Sequence, residues 1–460
     1  MGVADRRADV VVVGAGAAGA MAAWGFASAG YGVILVDARP LVEAGARWVN
    51  GVPPWIFDHV ELDRPEGEER CCGPEARFTV VRPSGERVFS LAPSPVWSVD
   101  MRRLTARIQG LAIAAGVEAM APAAVRDVRC VGGRLSAVVV ATQAGPCTVA
   151  ADLFVDASGM GGALRRRHPL LARDCPKVAR THICSAAQYV CRIMDLDAAR
   201  RHLDRFDARP GETLSRVGVS GGWSVANLAC DLERETVDLL TGAIATSAYA
   251  GGSALIGRMR AASPWIGPEV FGGRGAIPLR RPYDRLVAPG LALLGDAACQ
   301  VFSMHGSGVG MGLLAARLLT DAVGVDGDPG ALTVLWRYQA RFHRRWGGLL
   351  AAYDIARRAT QALAVTDVEA MLDVGIIDSN GFKAGLEQRL PAVTSLPILN
   401  LGLGMIKKPR LFVRLRSTAK IPSILRHYRR YPDRPDDRRL ASWSARAARH
   451  FGEAADVGQR

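Results

Sequence analysis

An α/β fold is predicted for this chain, interrupted by an inserted α+β segment and finished by a helical, basic region. Three observations predict it. A strand–glycine turn–helix–strand pattern opens the sequence, a second glycine run opens a helix late in the chain, and about 120 residues of mixed character lie between them. At 460 residues the chain exceeds what one simple core organises, so two or three domains are expected. Nearly half the residues are apolar and no long segment is of low complexity, which fits a folded globular protein.

The elements follow in order. "ADVVVVGAGAAGAMAAWGFASAGYGVILVDARP" reads as a βαβ unit, the opening segment (1–50) of a nucleotide-binding domain. Val10 to Val36 carries no formal charge, yet its glycines, alanines and internal turn argue against a membrane span. Residues 51–97, rich in proline and tryptophan, read as a loop or an insertion belonging to the substrate side. "MRRLTARIQGLAIAAGV" is an amphipathic helix. "AAVRDVRCVGGRLSAVVVATQAGPCTVAADLFVDASG" then reads as a meander returning to a buried strand, and helix and meander together form the middle segment of the nucleotide-binding domain (98–165). Residues 166–285 are read as the inserted substrate domain. "RLVAPGLALLGDAA" supplies a turn and a final buried strand within the closing segment of the nucleotide-binding domain (286–330), and helices dominate 331–460.

Charge is unevenly distributed. The chain carries +14, and Lys407–Arg460 alone holds fifteen Lys or Arg against five Asp or Glu, a net +10. Such a tail suits an anionic surface, and "LPILNLGLGMIKKPRLFVRLRS" alternates apolar patches with cations as an interfacial helix does. A solvated face packed on the body is the competing reading. Neither zinc-finger spacing nor aromatic–basic interleaving is present, so no nucleic-acid partner is expected. Nine cysteines without C-x-x-C pairs indicate free thiols and no metal site. With no export signal, a cytoplasmic protein is expected, with peripheral membrane contact through the tail as an added expectation.

The chemistry begins at Gly14-Ala15-Gly16-Ala17-Ala18-Gly19. The first glycine permits the turn, the second lets backbone approach a pyrophosphate, and the third lets helix pack on strand. The amides of Ala17 and Ala18 then open the helix toward the phosphates. Asp37, followed by Ala38, ends the next strand eighteen residues after Gly19, where a carboxylate accepts hydrogen bonds from ribose hydroxyls. Dinucleotide binding follows from the set. By itself it does not separate NAD from FAD.

"LFVDASG" and "LALLGDAA…HGSGVGMG", added to the first motif, resemble the three FAD fingerprints of para-hydroxybenzoate-hydroxylase-like flavoproteins. Within that superfamily the chain is most similar to the geranylgeranyl reductase family, with flavin-dependent halogenases and aromatic monooxygenases as relatives. The resemblance spans 10–40, 98–162 and 286–322, and is only suggestive over the substrate domain. It implies a Rossmann-like FAD-binding domain, FAD as cofactor and NAD(P)H as electron donor. It places Asp156 and Gly159 at the motif that closes over the cofactor, and Gly295 and Asp296 at the ribityl chain. It also sets Gly306, Ser307, Gly308, Val309 and Gly310 at the helix start facing the pyrimidine edge of the flavin ring, where backbone amides stabilise charge as it develops. One departure concerns the arginine that relatives often carry directly after "VD". Met101 stands there, and Arg102 or Arg103 is left to replace it, Arg103 being the expected contact.

On the substrate side, Trp48 and Asn50 occupy "GARWVNGVPPW", where the reductases usually carry a cysteine–glycine motif. Trp223 in "GGWSVAN" and Ile277-Pro278 in "GGRGAIP" are expected pocket walls, with plain core packing as the alternative. His305, just before the flavin-facing helix, is the candidate proton-transfer residue, or else a loop histidine serving structure. The resemblance implies hydride transfer at flavin N5 to or from a carbon–carbon bond of an apolar, prenyl-like or aromatic substrate. An FAD-dependent hydroxylase using oxygen is the alternative. A halogenase fits less well, because W-x-W-x-I-P is absent and no lysine precedes Lys177. A prenyl-binding protein without catalysis would have no need of the intact Gly-Asp and Asp-Ala-Ser-Gly motifs. Gly218-Val219-Ser220-Gly221-Gly222 fits G-x-S-x-G, but "WSVANLA" after it reads as strand, whereas a nucleophile elbow requires a helix.

Overall fold

A computed structural model describes residues 5–73, 75–246, 248–324, 327–392 and 409–458. Two sheets organise the molecule. In the first, Val10–Val13 and Val33–Val36 are wholly buried runs, as expected of central parallel strands covered on both faces. Arg6–Val13 pairs in parallel with Gly145–Asp156 on one side and Val33–Val36 on the other. Glu118–Met120 and Leu291–Leu293 extend the parallel order outward, and Val287–Ala288 closes one edge as an antiparallel turn partner. The meander Ala124–Val131, Arg134–Thr142 hangs from the outer half of Gly145–Asp156. This is the Rossmann-like core.

The second sheet has seven strands in the spatial order Ile266–Pro278, Ile183–Ile193, Thr236–Ile244, Ser224–Asp231, Thr213–Val217, Phe78–Val81, Arg87–Leu91. Its strands alternate buried and half-buried residues, most clearly along Ser224–Asp231, so its two faces meet different surroundings. Phe78–Val81 and Arg87–Leu91 come from the region read as loop or insertion and complete this sheet at one edge. The chain leaves the first domain and returns to it through the antiparallel pair Val49–Val52 and Trp97–Asp100.

Helices fix one sheet on the other. Leu332–Phe342 continues through a five-residue π-helical turn, His343–Gly347, into Gly348–Thr360. Such a turn admits one extra residue and lets the helix change direction. Buried His343 stacks on Tyr431, ring centroids 4.4 Å apart, and burial drives its pKa down to about 3, so a neutral aromatic ring packs there. Ile421–Tyr428 and Asp437–Phe451 pack outside it. Residues 393–408 lie outside the described residues, and with them the first thirteen residues of "LPILNLGLGMIKKPRLFVRLRS"; Pro409–Leu415 is helical. No helix among the described residues is long and apolar enough to cross a membrane.

Candidate active site

The β1–α1 turn is held from three sides, β1 being Arg6–Val13 and α1 Ala17–Ser28. Gly14 takes φ +108°, and its amide donates to Val36 O. Asp37 accepts from the amides of Ala15 at 2.8 Å and Arg39 at 2.9 Å, so its carboxylate shapes the turn as well as facing the cleft. Gln109, from helix Met101–Ala114, donates to Ala15 O at 2.7 Å. Gly16, the residue preceding α1, brings no capping side chain, and the first turn carries no acid. The amides of Ala17, Ala18 and Gly19 therefore point toward an anion.

Across from this turn, Leu291–Leu293 runs into the short helical turn Gly295–Ala298, and helix Val309–Val323 likewise starts without a capping side chain. Between the two helix starts lies a cavity of about 580 Å³. Gly14, Gly16, Ala17, Ala18, Gly19, Asp37 and Ala38 line one end of it, Gly159 its side, and Gly295, Asp296, Gly306, Gly308 and Val309 the other end. The residues fit FAD on two observations. Asp296 faces the cavity with no hydrogen-bond donor to its carboxylate among the described residues, and burial lifts its pKa to about 6, as befits an acceptor awaiting hydroxyl donors. A side chain at Gly308 would begin 2.9 Å from Asp296 Oδ1, so glycine there keeps that carboxylate reachable.

Four expected contacts sit elsewhere. Asp156 is fully buried and is satisfied by the amides of Ser158, Leu164 and Arg165 and by the Ser158 hydroxyl. It folds the loop whose Ala157, Ser158 and Gly159 line the cavity. Arg103 turns outward to Glu68 and is half exposed, because the helix face two residues beyond Met101 points away from the cleft. Arg102 is held by Asp100 and lies over the Phe271 ring. Gly310 packs on Ile56, where a Cβ would fall 2.3 Å from the isoleucine Cδ1. Ser307 faces the neighbouring cavity. Three cavity-lining cations had no sequence signal beyond their type: Arg39, Arg47 and Arg274.

That neighbouring cavity, about 680 Å³, is mainly apolar and lies between the second sheet and the C-terminal helices. Asn50 lines both cavities, which makes it the junction. Trp223 lines the second cavity, its indole N–H donating to Met304 O at 2.8 Å. Trp48 and Ile277 line the first cavity, and Pro278 lines neither. His305 faces the second cavity, stacked on Phe302. Its Nδ1 accepts from the Ser307 amide at 3.2 Å, which leaves Nε2 as the donor to Gly385 O at 3.2 Å, and burial lowers its pKa to about 4. Ser220 sits in the turn before strand Ser224–Asp231, so no nucleophile elbow forms. All nine cysteines are free thiols, and burial pushes Cys71 up to about 12.

Residues 9–166 match the model of the FAD dependent oxidoreductase family. Digeranylgeranylglycerophospholipid reductase 1 of Methanopyrus kandleri is 25% identical over 380 residues, covering 79% of this chain and 93% of that protein. A geranylgeranyl bacteriochlorophyll reductase-like protein from Thermoplasma acidophilum superposes with a TM-score of 0.71 at 17% identity, over 90% of this chain and 99% of the other. A p-nitrophenol 4-monooxygenase from Pseudomonas putida gives 0.59 at 14% identity, over 85% and 100%, and shares the fold alone.

Proposed function

Since the chain is an FAD-dependent oxidoreductase related to the digeranylgeranylglycerophospholipid reductases, we propose that it reduces carbon–carbon double bonds of an apolar, prenyl-like substrate, with NAD(P)H as the source of electrons. The observation that carries this reading is the apolar cavity joined at Asn50 to the cleft whose residues fit FAD. Bound FAD supplies hydride transfer at N5. The chain's own residues do the rest. Ala17, Ala18 and Gly19 amides would hold the pyrophosphate, and Asp37 and Asp296 would take ribose and ribityl hydroxyls. The amides at the start of helix Val309–Val323 would stabilise charge on the reduced ring. Apolar walls from both domains bind the hydrocarbon and exclude water, each buried CH₂ contributing about 0.8 kcal/mol. His305, with both ring nitrogens engaged by backbone, holds the 305–307 turn between the cavities.

The test is product analysis after anaerobic reduction of the FAD-loaded protein. Saturated product from a polyprenyl substrate, with bleaching of the flavin absorbance by NADH or NADPH beforehand, is the expected result. A hydroxylated product that requires oxygen would replace this reading with the monooxygenase one.

Peripheral membrane contact forms a further element of the proposal. Exposed Val413 stands beside exposed Arg410, Arg414 and Arg416 in sequence. Leu390, Pro391, Ile421 and Leu425 are among the walls of the apolar cavity. Vesicles rich in anionic lipid should co-sediment with the protein at about 20 mM salt and release it near 0.5 M, because exposed charges are screened within about 4 Å there. Absence of low-salt binding would end the idea.

A further inference from the structure

The larger cavity carries an unusual polar set. Among its described lining residues there is no lysine or arginine, and its histidine is neutral, both nitrogens being bonded to backbone. A phosphate drawn inside would lose its hydration with no cation among the described lining residues to receive it, which opposes its entry. The substrate-binding wall is therefore suited to neutral molecules, and the arginines lie outside on the C-terminal helices.

Besides the hydroxyl residues Thr213, Ser215 and Ser224, a carboxyl and an amide side chain line the cavity from adjacent strands of the second sheet. Asp238 stands on Thr236–Ile244 and Asn227 on Ser224–Asp231. The register pairs Asn227 with Leu240 and Ala229 with Asp238, so the two polar residues are diagonal neighbours on one face. Asp238 Oδ1 accepts from Gln188 Nε2 at 2.5 Å, and Gln188 Oε1 in turn accepts from the Val49 amide at 2.6 Å. That two-bond chain anchors the carboxyl to the strand that carries Asn50, the residue shared by both cavities. No cation pairs with Asp238 among the described residues; the titratable groups in electrostatic reach are the Cys71 and Cys191 thiols, both kept protonated by burial. Burial raises the Asp238 pKa to about 7, so near neutrality the carboxyl offers a donor in one protonation state and an acceptor in the other. Asn227 lines the cavity, and its Oδ1 is shielded with no hydrogen-bond partner among the described residues, so rotation of the amide toward a ligand donor would gain it the partner it lacks.

We propose that Asp238 and Asn227 form a hydroxyl-binding subsite, and that the cavity takes an uncharged, mainly hydrocarbon substrate bearing a hydroxyl at its buried end. A hydroxyl is donor and acceptor at once: its O–H satisfies Asn227 Oδ1 while its oxygen accepts from the Asp238 carboxyl, or its O–H is taken by the carboxylate. A methyl ether lacks the donor, and a diphosphate brings charge that no described residue of the wall balances. This assignment rests on the reading of the cavity as the substrate site and deepens it.

The test measures binding to the FAD-loaded protein, without turnover, by calorimetry in mild detergent. The probes are a twenty-carbon prenyl alcohol, its methyl ether and its diphosphate. The alcohol is expected to bind at least tenfold more tightly than either of the others. Asp238→Leu and Asn227→Leu should each bring the alcohol down to the affinity of the ether, with flavin absorbance per protein unchanged, since neither residue lines the cofactor cleft. Asp238→Asn, which keeps shape and hydrogen-bonding capacity, should retain some of the preference and guards against a folding defect in the leucine variant. Diphosphate binding as tight as that of the alcohol, or an alcohol preference that survives both leucine variants, would overturn the assignment. An intact alcohol preference with no reduced product supports the subsite and counts against the reductase reading alone.

Discussion

Replacing Gly14 with alanine should yield a protein that purifies without flavin and takes up added FAD at least a hundredfold more weakly than the wild type. Two independent obstacles combine. The backbone there has φ +108°, which an L side chain rarely adopts, and an added Cβ would lie 2.3 Å from Ala157 O and 2.8 Å from Ser158 N. Neither neighbour can retreat. Ala157 and Ser158 follow Asp156, whose carboxylate is fastened by three amides and a hydroxyl, and the Ala157 amide itself donates to Val13 O. The methyl group would therefore part the turn that bears the pyrophosphate-facing amides from the loop that lines the cleft's side. Gly30→Ala is the control: φ is +90° there too, but nothing lies within 4 Å of the added carbon. It should lose about 1 kcal/mol of stability and keep its flavin. Flavin absorbance per protein and an FAD titration separate the two. A yellow Gly14→Ala protein with ordinary affinity would contradict the assignment of that turn to the cofactor.

Asp354→Ala is expected to destabilise the fold by about 3–5 kcal/mol, the usual cost of leaving a buried cation without its partner. Asp354 lies on helix Gly348–Thr360 and is fully buried. It accepts from Arg357 Nη2 at 2.8 Å, Arg358 Nε at 3.1 Å and the Arg281 amide at 2.9 Å. Arg357 is fully buried, and Arg281 is tied onward to Asp284, Glu453 and Asp456. The network joins the segment around Arg281 to helix Gly348–Thr360 and to the chain just after the last helix, Asp437–Phe451. Burial alone would raise the Asp354 pKa, but the charges and hydrogen bonds of Arg358 and Arg357 outweigh it and hold the carboxyl well below the usual range. A depressed folded-state pKa stabilises fully above the unfolded value of about 3.9 and is lost as pH falls through the folded one. Thermal melts from pH 7 to pH 3 should therefore show the wild type–variant gap nearly constant down to about pH 5 and shrinking below about 4. A gap under 1 kcal/mol at pH 7 would mean that solvent reaches the arginines.

The cofactor cleft was largely legible in the sequence because its determinants are local. A buried run, a glycine turn and a helix lie consecutively at residues 10–28, and the second glycine run meets its helix the same way. Asp156 shows where locality misleads: the motif marks the right loop, but the carboxylate spends its hydrogen bonds on that loop's own amides. Arg103 turns away for a related reason, since two steps along a helix from Met101 rotate a side chain by about 200°. The substrate cavity was mostly illegible. Asp238 and Asn227 look like ordinary alternating residues of two strands, and only the register across the sheet makes them neighbours. Leu363, Val368, Met371 and Ile421 wall the cavity from more than a hundred residues away, by helical packing that leaves no local signature. The burial of the arginines in "LRRPYDR" has no local signal, because apart from Asp284 their acidic partners come from 174, 437, 453 and 456.

The division of labour along the chain bears on how the enzyme can be cut or evolve. Every described residue that lines the cleft proposed for the flavin precedes residue 310, whereas the larger apolar cavity is sealed by segments reaching to Leu425. The redox half is thus written before its container is finished. Exchange of the terminal hundred residues between homologous enzymes would redraw which molecules are admitted while leaving the electron-handling machinery's own letters untouched.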